Sequence, residues 1–327
     1  MRHTLAVLAL LAAPFAQAAE FKVIDSIKGA DGPWDYASVD SEVNRLLVGR
    51  GDGVMAVDLA TGAVTATLVP GQRVHGVVGL PAGLAASANG DSNDVTLFKA
   101  ADGKVVGNVA VGQKPDALAY DPKTGLLAVM NGKDGTVSLV DAEKKAVAGT
   151  IEVGGKLEFA AADGTGKLFV NVEDKNELAA LDLAGRKVTA RYPLPDCESP
   201  TGLAIDAADH ILLSACANGK AVATSSLDGH VVATLAIGSH PDAVIFDQKY
   251  KQFLVPCGEG VLSVISAEGG HLATTASIQT ARGARTGAID PATGKVYLPT
   301  ADFEPARQGE RPAAIPDTFR LLVLGRN

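Results

Sequence analysis

The side chains of this 327-residue chain best suited to chemistry recur at one point of a repeating segment. Asp35, His75, Asp116, Glu158, Asp242 and Arg285 each stand at or beside the start of a short apolar run, and Asn131 and Asn171 close the runs that follow. Carboxylates and amides gathered in a ring supply hard oxygen donors, which suit calcium or another divalent metal. Asp116, Glu158, Asn171 and Asp242, with Asn131 beside them, are the expected ligands on that reading. Clustered carboxylates can also do acid–base work once burial separates their pKa values, with His75 as a general base. A third reading is structural, because Pro-Asp and Asn-Gly pairs form turns whose side chains bind local backbone amides. His75, Glu158 and Arg285 fit it less well, since each replaces the turn residue used elsewhere in the repeat.

The elements that must position these residues follow from the period. Comparable segments begin at Pro33, Val74, Pro115, Leu157, Pro200, Pro241 and Arg285, spaced 41 to 44 residues apart. Each holds four short runs of Val, Ile, Leu and Ala parted by Gly, Asp, Asn and Pro. That pattern predicts antiparallel strands joined by hairpins. Four strands at this period predict an all-β, seven-bladed β-propeller with four-stranded antiparallel blades, of WD40-like build. The last segment supplies only three strands. The run Phe21–Gly29 resembles the outer strands of other segments, so it is expected to complete the seventh blade and close the ring. Closure removes an exposed sheet edge.

Within the third segment, PDALAYDPKTG opens the repeat, an apolar run ending in Asn131 follows, and VSLVDAEKKAVAGTIEVG closes it. These features resemble the YVTN-repeat, YncE-like family, and the resemblance spans residues 19–327. It implies a secreted or periplasmic propeller and no particular reaction. Two departures are Leu80-Pro-Ala-Gly83 in place of the Asp-Pro-x-x-Gly turn, and Cys257 where other segments carry Asn.

In a propeller, the starts of first strands and the ends of second strands share one face. Trp34, Asp35, His75, Asp116, Glu158, Asp242 and Arg285 should therefore converge with Asn131 and Asn171 on the mouth of the central channel. Trp34, the single tryptophan, either stacks on a ligand or closes an interface between blades. Cys197 and Cys216 fall on the same face of one blade and form the expected disulfide; Cys216 with Cys257 is the alternative. The stretch Asp302–Thr318, with Pro305, Pro312 and Pro316, is long for a hairpin and belongs to this face, as a lid or as a mobile loop.

Residues 1–18 read as a secretory leader: Arg2, an apolar stretch from Leu5 to Phe15, then Ala16-Gln17-Ala18. Cleavage near Ala18 leaves 327 − 18 = 309 residues and removes one basic and no acidic residue, so the net charge moves from −8 to −9. An acidic surface disfavours nucleic acid, and no later run is long enough for membrane insertion. The chain lacks Gly-x-Ser-x-Gly, His-Glu-x-x-His, a phosphate-binding glycine loop and Cys-x-x-Cys-His. The expectation is a periplasmic or secreted monomer without cofactor, which binds a small molecule or a periplasmic protein at the channel mouth. A lactonase-type hydrolase with a divalent ion in the channel is the alternative.

Overall fold

The computed structural model describes residues 21–305 and 312–326. The leader expected at 1–18 and the middle of the Asp302–Thr318 stretch lie outside the described residues. The strands form seven four-stranded antiparallel sheets, and six of these take four consecutive strands each. The seventh is built from Ala288–Ile289, Val296–Thr300, Arg320–Arg326 and the N-terminal strand Phe21–Lys28, which pairs with Arg320–Arg326. The expected closure is thus present, and the domain is a seven-bladed β-propeller.

The second and third strands of each blade are packed on both faces by neighbouring blades. This explains why Leu126–Asn131 and Thr136–Asp141 read as continuous apolar runs rather than alternating ones. The outer strands face solvent on one side and alternate, as in Lys187–Pro193. Seven apolar clusters result, one for each pair of adjacent blades. The cluster between the first and seventh blades joins Leu46, Val48 and Met55 to Tyr297, Phe319 and Leu321.

The Asp that ends many first strands has a structural task. Asp121 accepts from the Thr124 amide at 2.8 Å, Asp40 from Glu42 at 3.0 Å and Asp290 from Ala292 at 2.9 Å. Some of these carboxylates also tie blades together. Lys251 donates to Asp206 at 2.8 Å, and Arg326 donates to Asp247 at 2.6 Å while lying over the rings of Phe21 and Tyr250. Arg326 therefore clasps the sixth blade to the strand that closes the ring.

The innermost strands of the last two blades are shorter than the repeat predicts, at Ile245–Asp247 and Ala288–Ile289. Their leading residues bond sideways instead. The Asp242 amide donates to the Arg285 carbonyl at 3.2 Å, and the Thr286 hydroxyl donates to the Asp35 carbonyl at 2.8 Å. Among the described residues no helix is long and apolar enough to cross a membrane.

Candidate functional site: an acidic well at the channel mouth

In the first five blades, the register between first and second strands shifts just after the opening residue. The pairs Trp34–Arg50, Val74–Asn89, Pro115–Asn131, Leu157–Val172 and Pro200–Cys216 each precede a bulge. A bulge re-aims the side chains that follow it. Here it directs Asp35, His75, Asp116, Glu158 and Thr201 to the mouth, and Asp242 and Thr286 hold the same repeat position in the last two blades. The next ring inward is Tyr36, Gly76, Ala117, Phe159, Gly202, Ala243 and Gly287. Most of its members are small because the strands approach closely; a Cβ on Gly76 would stand 2.5 Å from the Asp116 carbonyl oxygen. Tyr36 and Phe159 are the exceptions. They meet edge to face with ring centroids 5.1 Å apart. Tyr36 belongs to the first blade yet packs in the apolar cluster of the third and fourth. It reaches across the channel to the far blades and, with Phe159, fills part of the channel beneath the mouth.

At the mouth the charged groups of three successive blades meet. His75 Nδ1 lies 2.5 Å from Asp35 Oδ2 and 3.6 Å from Asp116 Oδ1. A Cβ on Gly90 would come within 2.8 Å of the imidazole, so Gly90 makes room for the ring. Asp116 Oδ1 is buried and has no hydrogen-bond donor. Burial and the Asp35 charge push the Asp116 carboxyl up to about 7, against the opposing pull of His75. Burial disfavours the His75 imidazolium, but the Asp35 hydrogen bond and the two carboxylate charges outweigh it and raise its proton affinity.

Glu158 is pushed up to about 8 by burial, helped by the neighbouring Glu173 carboxyl, although Lys156 Nζ stands 2.8 Å from Oε1. Asp242 is held at about 6, where burial prevails over Arg285, whose Nε is 3.1 Å from Oδ2. The carboxylates also act on Tyr36: burial first, then the charges of Asp116 and Asp242, raise its phenol well above the usual value.

The ring gathers most of the expected site residues but not in the expected metal set. Asn131 and Asn171 are fully buried in the blade walls. Asn131 donates to Thr136 and Ser138 at 2.9 Å, and Asn171 donates to the carbonyls of Thr201 and Gly202 at 3.0 Å. Their amides therefore brace strands and do not face the well. Glu158 is taken up by Lys156. Among the described residues the one set of three or more His, Cys, Asp or Glu side chains with donor atoms within 4.8 Å of one another is Asp35, His75 and Asp116. An imidazole with two carboxylates suits a transition metal or zinc better than calcium, which takes six to eight oxygens.

The well holds about 310 Å³ and is lined by Asp91, Asp116 and Glu158 with His75, and by the basic side chains of Arg73, Lys114, Lys133 and Lys156. Across the mouth lies a second cleft of about 560 Å³ that includes Trp34, Arg285 and Phe303. Trp34 packs against Phe303 and Phe319 at centroid distances of 6.2 and 5.2 Å, so it both closes an interface and lines a cavity. A larger depression, about 680 Å³, opens among turn residues such as Lys123, Thr124 and Thr165 on the opposite face, away from the converging carboxylates.

Two further residues shape this region. Tyr36 carried a signal, as one of only two bulky residues at its ring position. Arg50, which the sequence places at a second-strand end on the mouth side, acts on the backbone there: its guanidinium donates to the carbonyls of Ala30, Gly32 and Pro33 and lies 4.0 Å from the Phe319 ring centre. It fixes the turn that delivers Trp34. Cys197 and Cys216 form the expected disulfide, with Cα atoms 5.3 Å apart. Cys257 is buried, and burial pushes its thiol up to about 11.

Fold and site together define a seven-bladed β-propeller with an acidic well at one mouth of its channel. Neither a protein-family model nor a curated protein matches the chain. Among solved structures, a chain in the "Crystal Structure of Mitotic Checkpoint Complex" is similar over 100% of this chain and 99% of its own, with a TM-score of 0.78 and 15% identity. A chain of the Kuenenia stuttgartiensis hydrazine synthase is similar over 83% of this chain and 93% of its own, with a TM-score of 0.70 and 13% identity. At these identities the likeness is one of fold alone.

Proposed function

We propose that this chain is an exported propeller of the YVTN-repeat kind that binds, without catalysis, a small cationic ligand in the acidic well. One observation carries the reading: Asp116 Oδ1 is a buried carboxylate oxygen without a donor, set beside His75 and Asp35. A buried polar atom with no partner is costly, and an ammonium group or a metal ion would satisfy it. The well is too narrow for a folded protein and suits a small molecule. The leader pattern of residues 1–18 and the Cys197–Cys216 disulfide support export to an oxidising compartment.

A second reading, a metal-dependent hydrolase, is favoured by the donor atoms of Asp35, His75 and Asp116 lying within 4.8 Å of one another. An ion held there would polarise a carbonyl. Glu158, which keeps its proton to about pH 8, would stand ready to donate it.

Calorimetric titration of the purified chain with zinc, manganese, calcium and a primary diamine tests both. Amine binding lost in Asp116→Asn, without lactone turnover, supports the binder. Stoichiometric metal lost in the same variant, with lactone turnover in the wild type, supports the hydrolase. Absence of any cation binding refutes both readings.

A further inference from the structure

The cleft on the other side of the mouth has the opposite chemistry from the well. Its walls are aromatic and cationic: Trp34 and Phe303 face it, Arg282, Arg285 and His240 edge it, and Pro312 closes one end. Among the described residues none that lines it is acidic, in a chain whose formal charge is −8. At about 560 Å³ it accommodates a ring and a short substituent.

The walls are set by the backbone. Gly283 has φ +83°, and a Cβ there would stand 2.5 Å from the Phe303 ring, so only glycine lets Phe303 lie against this turn. Phe303 is further held by pairing of its segment: the Glu304 amide donates to Ala313 and the Ile315 amide to Asp302, at 2.9 and 2.8 Å. Opposite it, Arg50 holds the turn before Trp34. The two rings are thus fixed against each other, 6.2 Å between centroids, and form one aromatic wall with guanidinium groups at its edge. Arg285 is positioned by Asp242 at 3.1 Å, which leaves the remaining guanidinium N–H groups for a ligand. Arg282 is exposed at the cleft edge.

We infer that this cleft binds an aromatic anion, a flat ring carrying a carboxylate or phosphate group. The ring lies against Trp34 and Phe303 and the anion meets Arg282 and Arg285. Guanidinium groups bind both anions through paired N–H donors, and an aromatic wall adds ring packing that a simple inorganic anion lacks. The inference stands on residues separate from those of the acidic well.

Because Trp34 is the only tryptophan, emission excited at its red edge reports on this cleft alone. The full exported chain is titrated with phenylacetate, phenyl phosphate, acetate and phenethylamine. The expected result is a saturable change in Trp34 emission with phenylacetate or phenyl phosphate, the tighter of the two identifying the anion. Acetate should bind at least about tenfold more weakly, and phenethylamine should give no saturable change. Arg282→Gln should weaken the aromatic anion about tenfold, as expected for loss of a charged hydrogen-bond donor. Phe303→Leu, which keeps the charge and removes the ring, should weaken it several-fold, with isothermal calorimetry as a second readout and circular dichroism confirming the fold. No saturable change with either anion, an equal change in Trp34 emission with phenethylamine, or an affinity unchanged in both variants overturns the inference.

Discussion

His75 meets Asp35 through Nδ1 at 2.5 Å, and the two residues come from neighbouring blades. With Asp116 of the third blade 3.6 Å away, side chains of three blades meet around one imidazole. His75 and Asp116 titrate together, so removing either changes the proton affinity of the other.

Stability should fall as pH rises from about 4 to about 8. Asp242, Asp116 and Glu158 are held at about 6, about 7 and about 8, above the values they take in an unfolded chain. The folded state therefore keeps protons that the unfolded state releases, and each unit of rising pH favours unfolding. His75 acts with the same sign, because its proton affinity is also raised. Carboxylates held low in exposed turns, such as Asp58 and Asp141, act below this window. Melting temperature measured across the range should decline, and Asp116→Asn should flatten the slope. A melting temperature that climbs steadily to pH 8 is incompatible with these shifts.

Tyr36→Ala should cost about 3–5 kcal/mol, the range for deleting a large aromatic from a packed core. Tyr36→Phe should cost under about 1 kcal/mol, since the hydroxyl is only 3.5 Å from Glu158 Oε2, a weak contact. Urea denaturation of the two variants separates the ring from the hydroxyl. Equal losses would mean that Tyr36 does not act through its ring.

Arg326→Met should destabilise the domain by about 3–5 kcal/mol, because it leaves the Asp247 carboxylate buried and unpaired. Both partners are nearly inaccessible, at 9% and 4% side-chain exposure. Amide exchange should speed up first in Phe21–Lys28, the strand whose Phe21 lies beneath the guanidinium. Exchange rising uniformly over all blades would argue against a local clasp.

Replacing Cys197 and Cys216 by serine should cost about 2–4 kcal/mol. In the wild-type protein a thiol reagent should label nothing until denaturant is added and then titrate one group, Cys257. Rapid labelling of the native protein would contradict its burial.

The period of the chain disclosed the blades, the closing strand and the face that gathers Asp35, His75, Asp116, Glu158 and Asp242. It did so because strands buried on both faces leave unbroken apolar runs, and turns need Gly, Asp and Asn at fixed offsets. Side-chain direction within one strand is less accessible. Asn131 ends its strand on the mouth side and Asn171 stands one residue before the end of its own, where Val172 is the last, and both amides turn into the wall. For Asn131 the hydroxyls of Thr136 and Ser138 receive the amide, and Asn89 repeats this with Thr96 at 2.9 Å. That recurrence of a hydroxyl two residues into the third strand was the available signal. The pairing of Glu158 with Lys156 and the reach of Tyr36 across the channel depend on bulge geometry, which no short-range pattern encodes.

The first and last described strands share a sheet, so the strands of this domain that are made first and last must find each other. No truncated nascent chain can finish the domain, however many blades have already condensed. A contact spanning nearly the whole polypeptide carries a large loop-closure cost and slows the final step. Until the strand that carries Arg326 has been made, the incomplete ring stays open. The unfinished edge of blade seven would then be the surface most in need of a chaperone.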